Sequence, residues 1–313
     1  MTDTFERTIR YLRLSVTDLC NYRCSYCMGE DGAEKRACGD ALSIEELAEI
    51  GAAAVRCGVT KIRLTGGEPL LRRGILTLCE KLRGLDGLRE LALTTNGSLL
   101  PAMAGDLRRA GVERLNVSLD TLRSERFRQI TRRGELSEVL RGLDAARAAG
   151  FDALKLNVVL LGGVNDDEIS DFVALTRDEN ISVRFIELMP MGVCAAFPRE
   201  RFFSADAVLK AAPELSPIGA DGVAELYRAP NHRGTVGLIR PLTRCFCDRC
   251  DRLRVTADGK LKPCLHSAEE LPLRGLHGAD LENAIRCGAR SKPARHRLAQ
   301  GSGTPRNMFE IGG

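Results

Sequence analysis

Cys20, Cys24 and Cys27 fall together in the run Cys20-Asn21-Tyr22-Arg23-Cys24-Ser25-Tyr26-Cys27. Three thiolates this close can hold three irons of a four-iron cluster and leave the fourth iron open to another ligand, which makes that iron a place for chemistry. A second group comprises Cys247 and Cys250, a C-x2-C pair, followed by Cys264. From spacing alone this group fits either a second three-ligand metal centre with one free position or a structural zinc site, for which His266 is near enough to be the fourth ligand. Cys245 adds a further thiol that could replace Cys247. Cys38, Cys57, Cys79, Cys194 and Cys287 fit no ligand spacing and are expected as small buried hydrophobes.

Such ligands need a scaffold, and the sequence offers strand-like runs alternating with helical ones. Strands are predicted at 11–17, 61–65, 90–94, 114–119, 152–160 and 182–188. Helices are predicted over 43–57, opened by a capping box of Ser43 and Glu46, and over 101–110, 136–149 and 166–178. Repeated strand–helix units imply an α/β fold with a parallel sheet and right-handed crossovers, either an open doubly wound sheet or a full or partial barrel. The first cysteine group follows the first strand, at the end where barrels place their chemistry. Beyond Pro190 the rhythm breaks, and scattered prolines mark a smaller C-terminal module, so the expected domains are 1–190 and 191–313.

Successive side chains of a strand point to opposite faces. Leu12 and Leu14 therefore oppose Arg13 and Ser15, Ile62 and Leu64 oppose Lys61, Arg63 and Thr65, and Leu154, Leu156 and Val158 oppose Lys155 and Asn157. With the apolar face against the outer helices, the polar face lines the interior. Arg13, Lys61, Arg63 and Lys155 then need an anion there, since an unpaired buried charge is costly. A ligand satisfies them, or else Asp and Glu side chains of neighbouring loops do.

The 313 residues are 44% hydrophobic and 28% charged, enough apolar material for a large core without the composition of a disordered chain. A net charge of +4 is small for this length and gives no support to a nucleic-acid partner. The 12 cysteines fit either disulfides or metal ligation. The polar stretch 1–10, with Asp3 and Glu6, carries no apolar signal core, and no apolar run is long enough to span a membrane. The expectation is a cytoplasmic protein whose cysteines are thiols or metal ligands.

Cys20-x3-Cys24-x2-Cys27 with Tyr26 before the last cysteine, together with Gly66-Gly67-Glu68-Pro69 after the second strand, resembles the radical S-adenosylmethionine superfamily. Over nearly the whole chain the sequence is similar to the GTP 3',8-cyclase family of molybdenum cofactor biosynthesis. That likeness rests on Tyr11-Leu12-Arg13-Leu14-Ser15, the segment Ile62 to Leu70, Thr94-Thr95-Asn96-Gly97, Phe246-Cys247 through Leu253-Arg254, and the terminal Gly312-Gly313. Met28-Gly29 replaces the usual Met-Pro, the stretch from Met28 to Leu42 is short, and Asp251 stands where an Asn is usual.

The resemblance implies an incomplete barrel of six strand–helix units closed by a C-terminal module that carries a second four-iron cluster. It implies that Cys20, Cys24 and Cys27 hold the first cluster and Cys247, Cys250 and Cys264 the second. Tyr26, Gly67, Ser118 and Met189 would contact S-adenosylmethionine. Arg13, Arg63, Thr94, Lys155, Arg252, Leu253 and Arg254 would contact GTP, with Lys61 and Arg184 as further phosphate candidates. Arg63, Lys155 and the Gly312-Gly313 tail would serve catalysis. The implied reaction generates a 5'-deoxyadenosyl radical that takes hydrogen from C3' of the GTP ribose, after which C3' bonds to C8 of guanine. An external reductant, handover to cyclic pyranopterin monophosphate synthase, and a monomer or homodimer belong to the same implication. A peptide-modifying radical enzyme with an auxiliary cluster shares the first motif but predicts no set of interior cations. A zinc-stabilised binding protein leaves Cys20, Cys24 and Cys27 without a purpose.

Overall fold

The computed structural model describes residues 1–33, 41–296, 298 and 303–312. Cys38, the middle of the short 28–42 stretch and Gly313 lie outside the described residues. The six anticipated strands are present as β1 (Tyr11–Ser15), β2 (Lys61–Thr65), β3 (Glu90–Thr95), β4 (Arg114–Ser118), β5 (Leu154–Leu160) and β6 (Ile181–Glu187). They pair in parallel in sequence order. Helices α1 (Ile44–Arg56), α2 (Ile75–Arg83), α3 (Leu100–Arg109), α4 (Ser124–Thr131), α5 (Leu136–Ala148) and α6 (Ile169–Ala174) supply the crossovers.

Local chemistry explains these elements. Ser43 Oγ accepts from Glu46 N at 3.1 Å and Glu46 Oε2 accepts from Ser43 N at 2.7 Å, a capping box that stabilises the start of α1 by about 1 kcal/mol. The inward stripe of α1, with Leu47, Ile50 and Ala54, is buried against the sheet and α2. The anticipated helix over 166–178 is shorter, a 3-10 turn at Asp166–Glu168 followed by α6, because Glu168 turns inward to accept from Thr121 Oγ1 and Leu122 N.

The sheet extends beyond the six strands. Past α7 (Asp206–Ala211), the hairpin of β7 (Ser216–Asp221) and β8 (Ala224–Arg228) leads into β9 (Thr235–Ile239), which pairs in parallel with β6. After the second cysteine group, β10 (Arg252–Val255) pairs in parallel with β1 on the opposite edge, and short β11 (Lys260–Lys262) and β12 (Leu271–Pro272) continue from it, followed by α8 (Gly278–Arg290). The order is β12-β11-β10-β1-β2-β3-β4-β5-β6-β9-β8-β7. Among the described residues the two ends do not pair, yet side chains from β10, β1, β2, β4, β5 and β6 line one cavity. The sheet therefore curls into a partial barrel around that cavity, with the helices outside.

Candidate active site

Register places the interior cations side by side: Arg13 pairs with Arg63 on one side and Arg254 on the other, and Tyr11 lies between Lys61 and Arg252. With Lys155 and Arg184 they line a cavity of about 350 Å³, a volume in the range of small-molecule sites. Burial lowers the Arg13 guanidinium to about 10, helped by repulsion from Arg63 and Arg252 and opposed by Tyr11. Burial, with Arg13 and Arg252 close by, likewise pushes Arg254 well down. Burial and Arg184 bring Lys155 to about 8, against the pull of Asp221. Cations packed so that each disfavours the next form a seat for a polyanion. The Nε atoms of Arg184 and Arg252 and Oδ1 of Asn116, all buried, have no hydrogen-bond partner among the described residues.

Carboxylates of other elements do reach some of these cations. Lys61 Nζ pairs with Glu90 Oε1 at 2.7 Å, and Asp221 pairs with Lys155 and Arg184. Arg63 instead donates to the Tyr11 hydroxyl at 2.5 Å and to Thr94 Oγ1 at 3.3 Å. Tyr11 was not singled out as a site residue. Burial would raise its phenol, but Arg63, Arg13, Arg252 and Lys61 outweigh that and bring it down to about 7. The signal was available: Tyr11 is two residues before Arg13 and so shares its face.

The tail enters the same space. Gly312 O accepts from Arg254 Nη1 at 2.6 Å and from Arg13 Nε at 3.1 Å. At φ +66, and with a Cβ there falling onto Thr65 Oγ1 and against Ser15, position 312 has no room for a side chain. Arg306, paired with Asp258 at 2.9 Å and Glu270 at 2.6 Å, and a capping box of Asn307 and Glu310 anchor the segment leading to it. Leu253 differs from its neighbours: its side chain is fully buried in the hydrophobic core, on the opposite face of β10 from Arg252 and Arg254.

At the C-terminal ends of β1 and β2, two loops are bound to one another. Gly67 N donates to Thr17 O and Glu68 N to Leu19 O, both at 2.8 Å. A Cβ on Gly67 would strike the backbone of Asp18 and Leu19, so only glycine permits this approach. The buried Glu68 carboxylate accepts from Leu70 N, Thr95 Oγ1 and Asn96 N, tying the loop to β3. Burial pushes it up to about 7 even so.

Cys20, Cys24 and Cys27 are free thiols in this loop region. Burial raises all three, Cys27 to about 12; Cys20 adds to the rise at Cys27, and Cys27 and Cys20 add to it at Cys24. Three buried thiols whose ionisation is disfavoured are the donor set a cationic iron cluster would satisfy. Tyr26 and Ser118 line a small pocket beside Cys24. The Tyr26 hydroxyl donates to Asp120 Oδ2 at 2.6 Å, while Asp120 Oδ1 accepts from Val159 N. Met189 lines the large cavity on the side of the C-terminal cysteines.

Those cysteines also face the cavity: Cys247, Cys250 and Cys264 line it, with His266 and His296. Burial raises Cys247 to about 12; Cys250 is lowered, because Lys292 and Arg252 overcome the effect of its burial. Cys245, Cys247 and His296 bring their ligand atoms within 4.8 Å of one another. His266 is held neutral, its pKa brought to about 3 by burial and the neighbouring His296, and its Nδ1 lies 3.0 Å from Met191 Sδ. His296 carries no spacing signal, because 31 residues of chain separate it from Cys264 and packing alone brings it back. Of the cysteines outside these groups, Cys57, Cys79 and Cys194 are buried as anticipated, whereas Cys287 is exposed because it lies on the outward face of α8.

A curled parallel sheet with three cysteines after its first strand and a glycine-rich loop after its second defines a radical S-adenosylmethionine protein, and residues 14–176 match the Radical SAM superfamily. Residues 181–298 match the family Molybdenum Cofactor Synthesis C. A GTP 3',8-cyclase of Peptoclostridium acidaminophilum is 49% identical over 100% of this chain and 98% of its own length. One of Geobacter sulfurreducens is 48% identical over 96% and 94%. Among solved structures, Streptococcus suis SuiB bound to its precursor peptide SuiA has a TM-score of 0.60 at 14% identity, covering 90% of this chain and 67% of that one, a likeness of fold. The chain belongs to the GTP 3',8-cyclase family of the radical S-adenosylmethionine superfamily. No helix among the described residues is long and apolar enough to cross a membrane.

Proposed function

We infer that this chain is a GTP 3',8-cyclase, converting GTP to 3',8-cyclo-7,8-dihydro-GTP in the first step of molybdenum cofactor biosynthesis. Full-length identity near one half to proteins of that name supports the reading, and the observation that carries it is the cavity of interior cations. Cys20, Cys24 and Cys27 would hold a four-iron cluster, which with bound S-adenosylmethionine would supply a 5'-deoxyadenosyl radical. The Gly66-Gly67 loop, fixed by Glu68, and the pocket of Tyr26 and Ser118, braced by Asp120, position S-adenosylmethionine, and Met189 lies toward the cavity between them and the C-terminal cysteines.

Arg13, Arg63, Lys155, Arg184, Arg252 and Arg254, with Lys61 and Thr94, receive the triphosphate. Guanidinium groups suit it because their planar forks donate two hydrogen bonds at once and stay charged. Leu253 contributes through its backbone in β10, between the two arginines. Cys247, Cys250 and Cys264, which line the same cavity, would hold a second iron-sulfur cluster that binds the guanine base. The Gly312 carbonyl holds Arg13 and Arg254 in place, and the Gly312-Gly313 tail serves catalysis by shielding the reacting carbons from water. An external reductant delivers the electrons, and the product passes to cyclic pyranopterin monophosphate synthase.

The test is anaerobic: reconstitute and reduce the protein, supply S-adenosylmethionine with GTP or with ATP, and follow 5'-deoxyadenosine and the nucleotide by mass spectrometry. GTP-dependent deoxyadenosine with a cyclised nucleotide is expected. Deoxyadenosine with GTP unchanged would retain the radical class and remove the assigned substrate.

A further inference from the structure

We propose that Asp221 is a built-in anion that occupies the phosphate seat until a triphosphate displaces it, and that it thereby sets nucleotide affinity. The proposal rests on reading the cavity as a triphosphate site and goes beyond it by naming the group that competes with the substrate. Asp221 lies at the end of β7, at the turn of the β7–β8 hairpin. Its Oδ2 accepts from Lys155 Nζ at 2.5 Å and also from Arg184 Nη2. The two cations are buried, with side chains 6% and 8% exposed, whereas that of Asp221 is 42% exposed. The carboxylate thus reaches in from outside to cations that cannot leave.

The carboxylate is placed to let go. Strand β7 is the edge of the sheet, almost wholly exposed, and pairs among the described residues with β8, through a register irregularity between Pro217 and Gly219. Asp221 and Gly222 line the cavity without belonging to the hydrophobic core. Val223 and Ala224, next in the chain, are buried, so the turn stays anchored and it is the half-exposed Asp221 side chain that swings away from the two cations. Two buried like charges need an anion in the empty enzyme, which one carboxylate provides. A polyphosphate offers several charges to the same donors and would meet Asp221 as a like charge, so both cannot occupy the seat.

The experiment compares wild type, Asp221→Asn and Asp221→Glu, each fully loaded with iron, and measures binding of inorganic triphosphate by calorimetry. Removing the competing charge should tighten binding about tenfold in Asp221→Asn, because apparent affinity is reduced by the fraction of closed sites. Asp221→Glu should stay near wild type. Equal or weaker binding by Asp221→Asn would overturn the proposal, since the carboxylate would then be orienting Lys155 and Arg184. If neither protein binds triphosphate, the phosphate reading of the cavity falls, and the proposal with it.

Discussion

Replacing Tyr11 by Phe should change the pH dependence of stability more than its value at any one pH. The phenol is buried and receives a 2.5 Å hydrogen bond from Arg63, with Lys61, Arg63 and Arg252 near its ring. Its pKa falls from the ordinary 10.0 to about 7 in the folded chain. A folded value depressed below the unfolded one contributes stability that is fully present above the unfolded pKa and is lost as pH falls through the folded pKa. Three units correspond to a ceiling of about 4 kcal/mol above about pH 10. The same relation gives about 1 kcal/mol at pH 8, rising to about 3 at pH 9, and almost nothing below pH 6. The lost hydrogen bond to Arg63 adds a pH-independent cost of about 1–3 kcal/mol. Urea unfolding of equally iron-loaded wild type and Tyr11→Phe, without nucleotide, should therefore show a gap that widens by about 1 kcal/mol per pH unit between about pH 7.5 and 9.5. A gap that stays constant over that range would mean that Tyr11 remains protonated, and the account of the cation cluster would be wrong.

Arg254→Ala should weaken GTP binding about 30-fold or more, the loss of a charge-assisted contact of about 2–3 kcal/mol, while reductive cleavage of S-adenosylmethionine continues. Equilibrium nucleotide binding and uncoupled deoxyadenosine formation read the two effects; collapse of cleavage and iron content would make Arg254 structural. Gly312→Val should expel the tail, because a side chain there meets Thr65 and Ser15. Limited carboxypeptidase digestion should then shorten the variant faster than wild type, and cyclisation should fall about tenfold or more through lost positioning. Wild type should carry about eight irons, and Cys24→Ser and Cys250→Ser about four each. Zinc in place of iron in the Cys24→Ser protein would make the C-terminal site structural.

The period of two along the strands made the interior cations legible, since Arg13, Lys61, Arg63 and Lys155 each alternate with residues that pack outward. Strands β1 to β6 were legible for the same reason, and α1 through its capping box. Strands β9 and β10 were not. Each is short, follows a stretch punctuated by Pro230 or by the C-terminal cysteines, and acquires its place by pairing with β6 or β1, far away in sequence. The significance of Tyr11 depends on cations from three different strands, which strand alternation alone does not bring together. Asp221 carries no local signal, since its partners Lys155 and Arg184 come from β5 and β6. His296 joins the C-terminal cysteines only through tertiary packing.

The central claim is that this cavity presents the ribose of GTP to a 5'-deoxyadenosyl radical. GTP carrying deuterium at C3' tests it most directly, with the reduced enzyme, S-adenosylmethionine and mass analysis of the deoxyadenosine released. Deuterium-enriched deoxyadenosine formed in step with cyclised nucleotide is the predicted result. Unlabelled deoxyadenosine, formed at the same rate with or without GTP, would contradict it.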